Sequence, residues 1–80
     1  MLAIDFGADG TVVINGRLDA AQCPVAQSFL DRVEGAVTLD CTGLDYVSSA
    51  GLGVLLKTQK RLKASTGKLR LVGVNRHLQD

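Results

Sequence analysis

The sequence contains no tryptophan, one proline, one methionine, one histidine and only two phenylalanines and one tyrosine. Without aromatic side chains interleaved among its cations, it lacks the stacking platforms that hold single-stranded nucleic acid. Its two cysteines, Cys23 and Cys41, are far apart and form no C-x-x-C pair, and His77 is distant from both. No metal centre is implied by that spacing, and no cofactor. No apolar run approaches the roughly 18 residues that span a bilayer. The start also lacks the basic flank and apolar core of a secretory signal. The chain therefore reads as cytoplasmic, where a disulfide is unexpected, and both cysteines are expected to be small core residues.

Acids are missing from one region. Lys57, Lys60, Arg61, Lys63, Lys68 and Arg70 follow one another with no carboxylate between them, and seven of the eight acids lie at or before Asp45. The net charge of +1 hides this asymmetry. Such a stretch is either a solvated helix face or a surface for an acidic or phosphate-bearing partner.

What is present is an ordinary globular composition, 46% hydrophobic and 21% charged, which argues against disorder. Eighty residues make a single small domain, one that buries only around 60% of its unfolded surface. Leu2, Ile4 and Phe6 alternate with Ala3 and Asp5, the period of a half-buried strand. Gly7 to Gly10 is turn chemistry, and Thr11 to Asn15 is β-branched and pairs back as a hairpin. Gly16-Arg17-Leu18-Asp19 then leaves the sheet. Residues 20–34 have helical period, with Pro24 in the first turn, Val25, Phe29, Leu30 and Val33 as the apolar face, and Gly35 as the stop. Val37, Leu39 and Cys41 make a short central strand, parallel to its neighbour because a helix separates the two. A second helix runs from about Ser49 to Ala64 with Leu52, Leu55, Leu56 and Leu62 inward and Gly67 closing it; Gln59 interrupts that stripe as a polar contact. Leu69 to Val74 is a further parallel strand. Asn75 would cap a third helix, which the sequence cuts short. The expected fold is α/β: a small mixed, mostly parallel sheet with helices packed on one face, incomplete at its C-terminus and so uncovered on one flank. An uncovered flank favours association, a homodimer included.

The stretch from Asp40 to Leu56 organises the rest. It reads as a strand end, a short polar turn, two hydroxyl residues and a helix start. The first N–H groups of a helix lack partners and carry partial positive charge, so they favour hydroxyl caps and anions. Ser48 is the natural N-cap, leaving Ser49 at the first helical position with its hydroxyl outward. Gly51 and Gly53 each cost about 1 kcal/mol in a helix relative to alanine. They serve either close packing on the chain's own sheet or a bare backbone open to a partner or a phosphate. An enzyme using Ser49 as nucleophile would need a nearby general base, and His77 is poorly placed at the chain's end, so the sequence does not read as an enzyme.

Asp40-Cys41-Thr42-Gly43-Leu44-Asp45-Tyr46-Val47-Ser48-Ser49-Ala50-Gly51-Leu52-Gly53 resembles the signature of STAS domains, nearest to the anti-sigma factor antagonist branch. Gly16-Arg17-Leu18-Asp19-Ala20-Ala21 and Gly67-Lys68-Leu69-Arg70-Leu71-Val72-Gly73-Val74 match as well, so the likeness covers nearly the whole chain. The resemblance implies a protein-binding module that sequesters an anti-sigma factor, often itself a serine kinase, and so frees a sigma factor without touching DNA, RNA or membrane. It implies phosphorylation at Ser49, a partner surface of Ser48, Ser49, Gly51, Leu52 and Gly53, and site-lining acids at Asp19 and Asp40, which otherwise serve as turn or cap residues. Ser48 departs from the aspartate common before the phosphorylated serine, and Thr42 stands for a serine. The same resemblance also covers STAS subunits that bind the ATPase of a lipid-transport system, and STAS domains of larger sensors or anion transporters.

Overall fold

The computed structural model describes residues 1–74. Its element order is β1 (Leu2–Phe6), β2 (Val12–Leu18), α1 (Cys23–Leu30), β3 (Ala36–Val47), α2 (Ser49–Ala64) and β4 (Lys68–Val72), with short 3-10 turns at Ala8–Gly10 and Ala20–Gln22. The strands lie in sequence order; β1 is antiparallel to β2, and β2, β3 and β4 run parallel. This is the mixed, mostly parallel sheet that the hydrophobic pattern predicts. Val12, Ile14, Leu18, Val37, Leu39, Cys41, Leu44 and Leu69 bury one face of the sheet against Ala26, Phe29, Leu30, Val54, Leu55 and Leu62 of the helices. Asn15 and Arg17 of β2 and Lys68 and Arg70 of β4, at the alternate positions, face away from that core.

Several local expectations are corrected. Gly16, Arg17 and Leu18 do not leave the sheet, because β2 continues through Leu18. The predicted turn after Cys41 is strand as well: β3 runs twelve residues to Val47. Its register against β2 slips between Val13 and Asn15 and again between Gly16 and Arg17, so β3 carries an extra residue at each place. Bulges of this kind let polar, turn-like residues stay within a strand.

The first helix is shorter than residues 20–34. Asp19 caps a 3-10 turn by accepting the Gln22 N–H at 3.2 Å, and regular α-helix begins only at Cys23, with Pro24 in its first turn. The buried face is Ala26, Phe29, Leu30 and Val33, spaced i, i+3, i+4, i+7, while Val25 lies one residue out of phase and is 52% exposed. The helix ends at Leu30, well before Gly35. Its end is tied to another element: the Arg61 guanidinium donates to Leu30 O at 2.8 Å and, just past the helix, to Val33 O at 2.6 Å.

Helix α2 has the predicted bounds but a different inward face. Gly51, Val54, Leu55, Thr58 and Leu62 are buried, whereas Leu52 and Leu56 are 47% and 54% exposed. Hydrophobicity alone misses Gly51 and Thr58 as core positions. Thr58 is tolerated there because its hydroxyl donates to Val54 O at 2.9 Å. Gln59 has the polar contact its position suggested, since its Oε1 accepts the Leu69 N–H at 3.2 Å. At the far end Thr66, not Gly67, takes the left-handed conformation (φ 64°); Gly67 is needed because a side chain would run into the Gly35 carbonyl. The predicted third helix lies outside the described residues.

Arg61→Met keeps the length and loses both bonds to the end of α1. It should cost roughly 1.5–3 kcal/mol, the range for hydrogen bonds from a charged donor, read as a lower urea midpoint at unchanged slope.

Candidate functional site

At the end of the central strands, Leu18 of β2 lies opposite Val47 of β3. The next residue, Ser48, turns its N–H onto Leu18 O at 2.9 Å while keeping extended backbone (φ −80°, ψ 170°). Its Oγ accepts the Gly51 N–H at 3.0 Å and its carbonyl accepts the Leu52 N–H at 2.8 Å. Strand therefore passes into helix through one residue, and Ser48 is the N-cap the sequence predicts.

That assignment leaves the Ser49 hydroxyl without a capping task. Ser49 opens the helix, and it and Ala50 lie at the surface. No acidic side chain of α2 itself occupies its first turn, so within the helix the partial positive charge of its start is met by the Ser48 cap alone.

The two glycines have different roles. Gly51 is buried, and a Cβ on it would lie 2.6 Å from Leu18 O, 2.7 Å from Leu18 Cγ and 3.0 Å from Val47 Cγ2. Gly51 thus lets α2 sit on the strand ends and cannot itself offer a surface to a partner, which corrects its expected place among the contact residues. A Cβ on Gly53 would meet nothing within 4 Å. Gly53 and Leu52 are exposed, so the accessible patch is Ser49, Leu52 and Gly53, with Ser48 partly buried at its rim. On the sheet face away from the helices the Arg17 guanidinium lies 4.4 Å from the centroid of the Tyr46 ring, a cation–π pair between neighbouring strands.

The two acids separate. Asp19 follows directly on Leu18 and so stays at this end of the sheet, with its carboxylate accepting from Gln22. Asp40 is opposite Val13 and Val72 in the body of β3, seven positions before Val47. At about 3.3 Å per strand residue, that places it on the order of 20 Å from the helix start. Its carboxylate accepts from both Thr42 N (2.9 Å) and Thr42 Oγ1 (2.6 Å), and these bonds hold its pKa below 3.8. The turn role is thus the one its geometry shows. The folded-state pKa is the lower one, so the contribution of Asp40 to stability is present above pH 3.8 and disappears as pH falls through the folded value.

Leu18 is the site residue that sequence reasoning undervalued. Its carbonyl and side chain both define the seat of α2, and the only signal was its place in Gly16-Arg17-Leu18-Asp19. Cys41 is buried in β3 next to Asp40, with its thiol pushed up to about 11 by burial and by the Asp40 charge. Among the described residues no cluster of three or more His, Cys, Asp or Glu could hold a metal, and no helix is long and apolar enough to cross a membrane.

Residues 5–80 match the family described as Mlab, STAS domain. BtrV of Bordetella bronchiseptica, an anti-sigma factor antagonist by name, is 41% identical over 51 residues, a span of 64% of this chain and 44% of that protein. An antisigma-factor antagonist STAS domain from Rhodobacter sphaeroides superposes with a TM-score of 0.69 at 13% identity, covering 98% of this chain and 94% of the other. The anti-sigma factor antagonist SpoIIAA in its unphosphorylated form gives 0.72 at 21% identity, covering 96% and 76%. At these identities the two structures speak for the fold.

Gly51→Ala should destabilise by about 1–3 kcal/mol, the cost of overpacking, whereas Gly53→Ala should stabilise by up to about 1 kcal/mol through helix propensity. Thermal unfolding of the pair measures both signs. Iodoacetamide at about pH 8 should label Cys23 well before Cys41, which only unfolding exposes; peptide mapping gives the order.

Proposed function

The chain belongs to the STAS domain family, and from that premise we propose that it is an anti-sigma factor antagonist switched by phosphorylation of Ser49. The observation that carries the reading is the Ser49 hydroxyl at the helix start, with the cap already supplied by Ser48. Unmodified, the patch of Ser49, Leu52 and Gly53 docks on an anti-sigma factor that is also a serine kinase, and a sigma factor is released. Transcription then changes by exchange of protein partners. The name of the Bordetella relative supports this, as does the solved form of SpoIIAA, an anti-sigma factor antagonist described as unphosphorylated.

Phosphorylation adds about −1.5 to −2 charge and three acceptor oxygens. At the start of α2 the free N–H groups and the helix dipole stabilise that charge. The fold survives, and binding is lost because a partner would have to strip water from a dianion at the centre of the contact. A second reading is favoured by one residue. Ser48 stands where the kinase-switched branch commonly has aspartate, which suits docking without phosphorylation, as on the ATPase of a lipid-transport system.

The test is recovery of partners by tagged protein in its own cells, with mass spectrometry of Ser49. A kinase-type anti-sigma factor and a phosphate on Ser49 are expected. Ser49→Ala should hold that partner, while Ser49→Asp should weaken it by about tenfold or more with unchanged circular dichroism. Equal binding by the two variants sinks the switch, and recovery of a transport ATPase in place of the anti-sigma factor selects the second reading.

A further inference from the structure

Strand β1 forms the edge of the sheet opposite to the one where the chain leaves β4. The Arg17 N–H donates to Met1 O at 3.1 Å and the Gly7 N–H to Thr11 O at 2.6 Å. Odd-numbered residues of β1 therefore turn their backbone groups toward β2. Leu2, Ile4 and Phe6 turn theirs outward, along an edge that no strand covers among the described residues. The same three side chains lie on the helix side of the sheet. Leu2 is buried there, Ile4 packs against the core, and Phe6, 56% exposed, stands 5.0 Å from the Phe29 ring. Along this edge Ile4, Pro24, Val25, Ser28, Phe29 and Arg32 line a groove of about 480 Å³.

The flank thus offers outward strand backbone with an apolar slot beside it. What fits both is an extended chain with apolar residues at alternate positions. β1 is itself such a chain, Leu2, Ile4 and Phe6 separated by Ala3 and Asp5. We propose that the occupant is a second copy of this chain, the two β1 strands pairing antiparallel about a two-fold axis at Ile4 and joining two four-stranded sheets into one.

The register follows from the symmetry. Ile4 lies opposite its own copy, Leu2 opposite Phe6, and Ala3 opposite Asp5. Helix α1 begins just after Leu18, and Leu2 is opposite Gly16, so the Leu2 end of the groove is the end with Pro24 and Val25. The second copy's Phe6 enters there and fills it. The Phe6 N–H, held in the single copy by the Asp5 carboxylate at 2.8 Å, exchanges that surface bond for the Leu2 carbonyl of the other copy. On the open face the small Ala3 receives Asp5, so no like charges stand directly opposite. An amphipathic helix or a lipid surface would cover the apolar slot but leave the outward backbone groups unpaired. The start of α2 follows β3, two strands in from this edge, so Ser49 stays free in both copies and the inference is independent of the switch.

The test is sedimentation equilibrium of the full chain from about 1 μM to about 1 mM, since a strand pair of this length belongs with the small, weak interfaces. A monomer–dimer equilibrium is expected. Ala3→Lys, facing Asp5 twice in the dimer, should tighten it by about fivefold, and Ala3→Glu should loosen it by as much. Val25→Glu should loosen it by about tenfold or more, because a carboxylate would be enclosed in the groove. Ala3 and Val25 are exposed, so the urea midpoint of the dilute monomer checks that each variant folds. In a mixture of labelled and unlabelled chains, NMR contacts between copies should join Ile4 to Ile4 and Phe6 to Val25. A chain that stays monomeric at about 1 mM overturns the proposal, whether or not an extended peptide binds the edge. So does a dimer that both Ala3 variants shift the same way, one that Val25→Glu leaves intact, or one whose contacts between copies fall on α2 and not on β1.

Discussion

The bond from the Ser48 N–H to the Leu18 carbonyl fixes where α2 begins, and with it the place of the uncommitted hydroxyl at that helix start. Three residues depend on that placement. Ser48 must be extended to reach Leu18 and must still turn its Oγ onto Gly51. Gly51 must be bare, because the same Leu18 carbonyl lies where a Cβ would go. Ser49 is then presented outward on a backbone held from both sides. The bonds that seat the helix start thus run through Ser48 and leave the Ser49 side chain outside them.

The fold was legible where periodicity was strong. The strand–helix alternation, the parallel pairing and the bounds of α2 followed from spacing and caps. The inward face of α2 did not, because Gly51 and Thr58 are core positions that hydrophobicity does not mark, and their claim on the core comes from the neighbouring strand and from a hydroxyl bonded back to Val54. The length of β3 was illegible for a related reason. Thr42, Gly43 and Asp45 have turn composition, but tertiary pairing overrides local preference.

At the site, the two hydroxyls sorted themselves from sequence alone, since a helix start accepts one N-cap. The two glycines could not be told apart, because a burial requirement and a bare surface look identical in one sequence. Asp19 and Asp40 show the same limit. Each satisfies local N–H groups, one three residues on and one two residues on, and only the sheet register separates them in space.

The paired slips of β3 against β2 have a consequence for how this segment can change length. Leu39 and Cys41 point to the core at odd positions, Leu44 at an even one, and Val47, packed against the core, at an odd one again. The first slip inverts the alternation and the second restores it. Each slip is a single residue that β3 carries in excess of β2, and after both of them Val47 still lies opposite Leu18. Loss of one residue at a slip would straighten the strand there and leave the next amide aimed at Leu18. The spacer ahead of the hydroxyl pair thus carries slack in its length, taken up one residue at a time.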